Sequence, residues 1–308
     1  MADTQNNSDV PALSGLIPPM ITPLTTEGAL DESAIERLVS YMLANGVDGL
    51  FLMGSSGEGP WLTFQQQRQL IRRVQQVVDG RVPLLVGALE PGTQRTLEAV
   101  RMYEDTGADV LVITSPYYFA ADQAAQLRHF ETIAAQTSLP IMLYNIPQTT
   151  HNLVTPDTVR RLLAVEHIIG IKDSATHWEA FSQFLELKTL KPGFVVFQGS
   201  EKLALRSLLA GGDGLVAGMG NLIPALLKRL ITSLQTGDRD TAQHLQEQIT
   251  ALWDLHTYDY WLVCLKYAAS LLGFGSGATC GHVNQISAES KAIIRDMLRA
   301  HVPDQVIA

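Results

Sequence analysis

Short apolar runs alternate with longer amphipathic stretches along this chain. The runs are 15–22 (GLIPPMIT), 48–54 (DGLFLMG), 82–88 (VPLLVGA), 108–114 (ADVLVIT), 139–145 (LPIMLYN), 168–172 (IIGIK), 194–199 (FVVFQG) and 213–218 (DGLVAG). They are rich in Val, Ile and Leu and nearly continuous, the pattern of strands covered on both faces, whereas strict alternation marks a strand with one face in water. Between them the apolar positions recur at helical spacing: Ile35, Leu38, Val39 and Met42 share one face, as do Leu127, Phe130, Ile133 and Ala134. Thr63 and Asp122 are predicted helix N-caps, and Gly46, Gly80 and Gly107 predicted helix stops. Eight strand–helix units at spacings of roughly 20 to 34 residues predict an α/β fold, a parallel (β/α)8 TIM barrel. An open doubly wound sheet would ordinarily use fewer strands and a glycine-rich first turn. Beyond about residue 236 no strand pattern remains, and three helices are expected. The expected organisation is therefore a flexible tail over 1–14, a barrel over 15–235 and a helical C-terminal subdomain over 236–308.

Composition narrows the function classes. The chain has 308 residues, 46% hydrophobic and 17% charged, with a mean hydropathy of +0.09, which is ordinary globular composition. A net charge of −9 and a pI near 5.3 disfavour nucleic-acid or anionic-membrane binding, although a local site can still be positive. The polar start MADTQNNSDV lacks the basic and apolar regions of a leader, and no apolar stretch approaches the roughly 18 residues a span needs, so a cytoplasmic protein is expected. Cys264 and Cys280 match no metal or redox spacing and are expected as buried small side chains.

In a parallel barrel chemistry gathers where strands end and βα loops begin. Four of the expected strands end there in polar motifs: GSSGEG (54–59), TSPYY (114–118), YNIP (144–147) and IKD (171–173). Lys172 closes an apolar run. It is either a lysine that reaches out to pair with Asp173 or Glu201, or an amine that attacks a keto group to form an imine. Attack needs the neutral amine, which burial favours. Tyr144 lies 28 positions earlier, one βα unit, so the two side chains are expected side by side on neighbouring strands. Its phenol either caps the barrel or acts as the general acid/base that imine chemistry requires.

The GSSGEG loop offers hydroxyls and backbone N–H groups before a helix, a nest suited to a carboxylate, unless its glycines serve only a turn with φ > 0. It is not a P-loop. Gly54 and Ser56 fit the elbow of a serine hydrolase, but Glu58 stands where the last glycine belongs. Gly212, Gly214 and Ala217 have dinucleotide-like spacing but precede a strand instead of following one. The histidines show no HxH or HExxH arrangement, no metal site is expected, and His177 and His282 read as surface or satisfied groups.

Taken in order, GSSGE, SPYY, YNIP and GIKD resemble the motifs of the dihydrodipicolinate synthase/N-acetylneuraminate lyase family, class I aldolases and dehydratases that handle pyruvate through a Schiff base. The resemblance covers roughly residues 14 to 302. It implies that Lys172 forms the imine, that Tyr144 moves protons to and from the bound keto acid, that Ser55 bonds Tyr144, and that Ser56 with the adjoining Gly57 holds the pyruvate carboxylate. It implies that Tyr118 crosses a dimer interface to complete a neighbour's proton relay, that the assembly is a homotetramer, and that no metal or other cofactor is needed. Thr149, Glu201 and Val216 fall where the family chooses its aldehyde. Synthases of the family typically carry an arginine where this chain has Thr149, and GTTGE where it has GSSGE. Replacing a bidentate guanidinium by a hydroxyl is not a mild change. The substrate expected is thus a 2-keto-3-deoxy sugar acid, cleaved to pyruvate and an aldehyde or dehydrated. The alternatives are condensation of pyruvate with aspartate semialdehyde, and a barrel that binds a keto acid without catalysis.

Overall fold

The computed structural model describes residues 11–281 and 285–302. His282 and residues 1–10 of the expected tail lie outside the described residues. Eight parallel strands form one sheet: β1 (Gly15–Leu16), β2 (Leu50–Leu52), β3 (Leu84–Gly87), β4 (Val110–Thr114), β5 (Ile141–Asn145), β6 (Ile168–Asp173), β7 (Val195–Gln198) and β8 (Gly214–Leu215). Their order is β1-β8-β7-β6-β5-β4-β3-β2. The ring closes between β1 and β2 through Pro19 and Phe51, where Phe51 N donates to Pro18 O at 3.0 Å and Met20 N to Phe51 O at 2.9 Å. This is the (β/α)8 barrel expected from the pattern.

β1 is much shorter than the apolar run that announced it. Pro18 and Pro19 have no N–H and cannot extend a ladder, so regular pairing stops after Leu16. Gly214 opens β8 for a steric reason: a Cβ there would stand 2.1 Å from Gly15 O. Both faces of the sheet are buried. Ile17, Phe51, Leu85, Val112, Met142 and Phe197 fill the barrel, with Leu13 beside them, while a larger apolar shell joins the sheet to the helices. The capping signals hold: Thr63 forms a full capping box with Gln66, Asp122 accepts from Ala125 N, and Gly46, Gly80 and Gly107 take φ of +74°, +69° and +84°.

At the end of the barrel where strands begin, three aspartates repeat one device. Asp48 accepts from Leu16 N at 2.8 Å, Asp109 from Leu84 N at 2.7 Å, and Asp213 from Val196 N at 2.7 Å. Each precedes one strand and satisfies a backbone donor within the first two residues of the neighbouring strand.

The three C-terminal helices run Arg239–Trp253, Trp261–Leu271 and Ala288–His301, with a 3-10 turn at Asp254–Thr257. They reach across the barrel mouth. Gln246 takes Leu205 N at 2.8 Å and gives Nε2 to Glu201 O at 2.9 Å, clamping the turn after β7. On helix Trp261–Leu271, Lys266 is buried against Glu58 of the GSSGEG loop, with its Nζ also donating to Thr22 O at 2.9 Å. Burial lowers the Lys266 pKa and the Glu58 carboxylate opposes that shift. Breaking a buried pair strands a charge, whereas replacing both partners is nearly neutral. Lys266→Met is therefore expected to cost about 3 kcal/mol in urea unfolding followed by tryptophan fluorescence, and adding Glu58→Gln to restore most of it. A double variant no more stable than the single one would mean that the pair does not act as a unit. Among the described residues no helix is long and apolar enough to cross a membrane.

Candidate active site

The parallel ladder builds the site. Tyr144 of β5, Lys172 of β6 and Phe197 of β7 are register partners in a row. Lys172 is 4% exposed and Tyr144 2%. The Lys172 Nζ stands 4.0 Å from the centre of the Tyr144 ring and 5.0 Å from that of Phe51, so its surroundings are two aromatic faces. Neither expected ion-pair partner takes it. Asp173 Oδ1 accepts from Asn145 Nδ2 at 2.7 Å, and Glu201 Oε1 accepts from Met219 N at 2.9 Å. Among the described residues Lys172 has no carboxylate partner.

Ser55 Oγ lies 3.4 Å from Tyr144 OH, the contact expected of them. The loop that brings it there is not the positive-φ glycine turn weighed as the alternative to a nest. Its left-handed residues are Met53 (φ 56°) and Glu58 (φ 58°), not glycines. The glycines are needed for close approach instead: a Cβ on Gly57 would meet Met20 O and Met53 N at 2.9 Å, and one on Gly59 would meet Met53 O at 2.1 Å. Gly57 thus sits behind the nest, its carbonyl taking the Thr22 hydroxyl at 2.6 Å. Ser56 faces the front.

Ser55, Ser56, Tyr144 and Lys172 open onto a cavity of about 400 Å³, and Thr149, Glu201 and Val216 line its other walls. Four further wall residues come from the C-terminal helices and were not expected: Trp253, His256, Trp261 and Leu265. No motif marks them. The one cue is that two of the four tryptophans fall between 253 and 261. Beside Ser55 a second cavity of about 220 Å³ is lined by Thr114, Tyr117 and Thr150 among others. Thr114 Oγ1 is buried and has no partner among the described residues.

Tyr118 is not part of either cavity. It is 84% exposed, holds φ at +77°, and packs edge-to-face on Phe119, itself 77% exposed. Cys264 is buried as expected, but Cys280 is only partly so, because its backbone N–H donates to Glu58 Oε2 at 2.5 Å and its thiol to Trp61 O at 3.3 Å at the surface of the loop. His177 is exposed at the start of helix Trp178–Leu187. Among the described residues no group of three or more His, Cys, Asp or Glu is placed to hold a metal ion.

On the outer side of the same strand ends, Asn145, Asp173 and Gln198 form a second register row. Asp173 Oδ2 and Gln198 Nε2 are buried without partners among the described residues. Burial raises the Asp173 carboxyl to about 6, against the hydrogen bond from Asn145.

The model of the dihydrodipicolinate synthetase family matches residues 12–301. A 4-hydroxy-tetrahydrodipicolinate synthase of Dehalococcoides mccartyi strain CBDB1 is 30% identical over 292 residues, 95% of this chain and 98% of that protein. The probable 2-dehydro-3-deoxy-D-pentonate aldolase YjhH of Escherichia coli K12 is 31% identical over 291 residues, 93% of this chain and 97% of that protein. Among solved structures, the E. coli K12 prophage protein YagE in complex with pyruvate superposes with a TM-score of 0.90 at 30% identity, covering 94% of this chain and 99% of that one.

Proposed function

The chain belongs to the dihydrodipicolinate synthetase family, a family of lyases and synthases, and we propose that it is a pyruvate-handling lyase whose Lys172 forms the imine. The observation that carries this reading is the Lys172 amine, buried over the Tyr144 ring at the end of a cavity and unpaired with any described carboxylate. The preferred substrate is a 2-keto-3-deoxy sugar acid.

Lys172 Nζ adds to the C2 carbonyl, and loss of water leaves a protonated imine. Tyr144, having given its proton to the departing water, takes the proton of the C4 hydroxyl as the C3–C4 bond breaks. The electron pair of that bond enters the imine to give an enamine, and the aldehyde departs. C3 then recovers a proton, and hydrolysis frees pyruvate and the lysine. Ser56 holds the substrate carboxylate and Ser55 keeps the Tyr144 hydroxyl in place. In a dimer the exposed Tyr118 of a second copy enters the smaller cavity and extends the relay beyond Ser55, toward the Thr114 hydroxyl, which has no partner among the described residues.

Cavity chemistry favours a sugar acid over aspartate semialdehyde. Lys172 is the only lysine or arginine among the lining residues, so a second carboxylate has no guanidinium to meet. Glu201, His256, Gln148, Thr149 and Ser200 instead present groups that bond hydroxyls. The synthase reading is kept by the names of several relatives. Assaying pyruvate release from a panel of 2-keto-3-deoxy sugar acids and N-acetylneuraminate, beside condensation of pyruvate with aspartate semialdehyde, decides between them. Turnover of at least one deoxy sugar acid, about tenfold or more above condensation in kcat/KM, is the expected result, a gap equivalent to about 1.4 kcal/mol. Faster condensation would transfer the chain to the synthases.

A further inference from the structure

On the imine reading just given, the residues that recognise the distal part of the substrate remain to be found, and the C-terminal segment supplies one. The 3-10 turn Asp254–Thr257 places His256 in the cavity wall, in the same pocket as Lys172 and Glu201. Its ring is fixed. Nδ1 lies 2.9 Å from Trp253 O, and a carbonyl only accepts, so Nδ1 carries the proton. The imidazole also packs on the Trp253 ring, centroids 5.3 Å apart, and Lys202 Nζ covers that indole at 3.9 Å from its centroid. Nε2 is left with no bond to any described residue.

Burial keeps the ring in that state. It lowers the His256 pKa against the Glu201 carboxylate and the hydrogen bond to Trp253 O, and Lys202 adds to the lowering. A neutral imidazole protonated at Nδ1 offers Nε2 as an acceptor. Glu201, in the same wall, is also an acceptor, with Oε1 taking Met219 N at 2.9 Å. Two acceptors side by side match hydroxyl donors and repel a carboxylate or phosphate.

At position 218 no side chain stands between the carboxylate nest and Glu201. Gly218 lies between them, and a Cβ there would stand 3.6 Å from Glu201 Oε1 and 3.7 Å from Ser56 Oγ. Its φ lies outside the left-handed region, so the backbone does not demand glycine here. The bare Cα leaves room for a carbon chain running from Ser56 past Glu201.

We infer that His256 and Glu201 form a hydroxyl-reading pair for the polyol tail of the keto acid, with His256 Nε2 and the Glu201 carboxylate each accepting from a tail hydroxyl. His256 is then a specificity residue supplied by the C-terminal helices to a barrel active site, and it takes no part in forming the imine.

The test uses the full-length protein and one readout, the borohydride-trapped adduct of 13C-labelled pyruvate. The concentration of competing acid that halves the adduct is measured for 2-keto-3-deoxygluconate and for 2-keto-4-hydroxybutyrate, which lacks the tail. In the parent protein the tailed acid is expected to compete at a lower concentration. His256→Phe should remove about tenfold of that advantage, the scale of one lost hydrogen bond with its partner left unpaired. Trapping of pyruvate alone should change by less than the preference does, and His256→Gln, which keeps an acceptor, should restore most of the preference. An unchanged ratio in His256→Phe, an equal weakening of both acids, or the same loss in His256→Gln would overturn the inference and leave the imine reading standing. Failure of the parent to trap pyruvate would instead remove the imine reading, and this inference with it.

Discussion

Reduction of the protein with borohydride in the presence of pyruvate adds one three-carbon adduct, on the peptide that carries Lys172 and on no other lysine. Lys172→Met is expected to lower kcat/KM by about 10⁴-fold or more, because the covalent step has no substitute in the site. The same variant should not weaken the fold. Lys172 is nearly inaccessible, rests on the Phe51 and Tyr144 rings and has no carboxylate partner among the described residues, so replacing it by an apolar chain of similar length strands no charge. Its unfolding free energy should not fall, and a rise of about 0.5–2 kcal/mol, the scale of a typical stabilising substitution, is expected. The two outcomes together are diagnostic: a structural lysine would lose stability on removal, whereas a reactive one loses only turnover. An adduct on any other lysine, or near-normal turnover in Lys172→Met, ends the account.

Tyr144→Phe separates the ring from its hydroxyl. The ring supports Lys172 Nζ from 4.0 Å and meets Phe51 edge-on at 6.2 Å, and phenylalanine keeps both contacts. What disappears is the OH that lies 3.4 Å from Ser55 Oγ. The expected loss in kcat is about 10²- to 10⁴-fold, the range for a positioned acid/base, with stability little changed and pyruvate still trapped on Lys172, though more slowly. Retention of more than about a tenth of the parent rate would place the proton carrier elsewhere.

Much of the barrel was legible because a strand buried on both faces must be written as a continuous Val, Ile and Leu run, and eight such runs at barrel spacing leave few alternatives. The adjacency of Tyr144 and Lys172 followed from the same spacing, and the register pairs the two directly. Local signals were equally readable at Thr63, Asp122 and Gly107. Other features depend on distant partners. Glu58 meets Lys266 across 208 positions, and no pattern around either residue announces the other. His256 and Trp253 enter the site because the C-terminal helices cross the barrel mouth, a packing choice that helical periodicity does not encode. The role of the GSSGEG glycines was not legible for a related reason, since close approach to Met20 and Met53 is set by the third dimension and not by the turn itself.

The three aspartates at the opposite end bear on how this molecule can be changed. Because Asp48, Asp109 and Asp213 anchor strand starts through side-chain-to-backbone bonds, part of the scaffold's rigidity is secured on the side remote from catalysis. Rim loops can accordingly be exchanged, lengthened or grafted from relatives without disturbing those ties, whereas an Asp→Ala change at any of the three would remove the acceptor that joins two strands. A programme to redirect selectivity has its freedom above the sheet and its prohibited ground below.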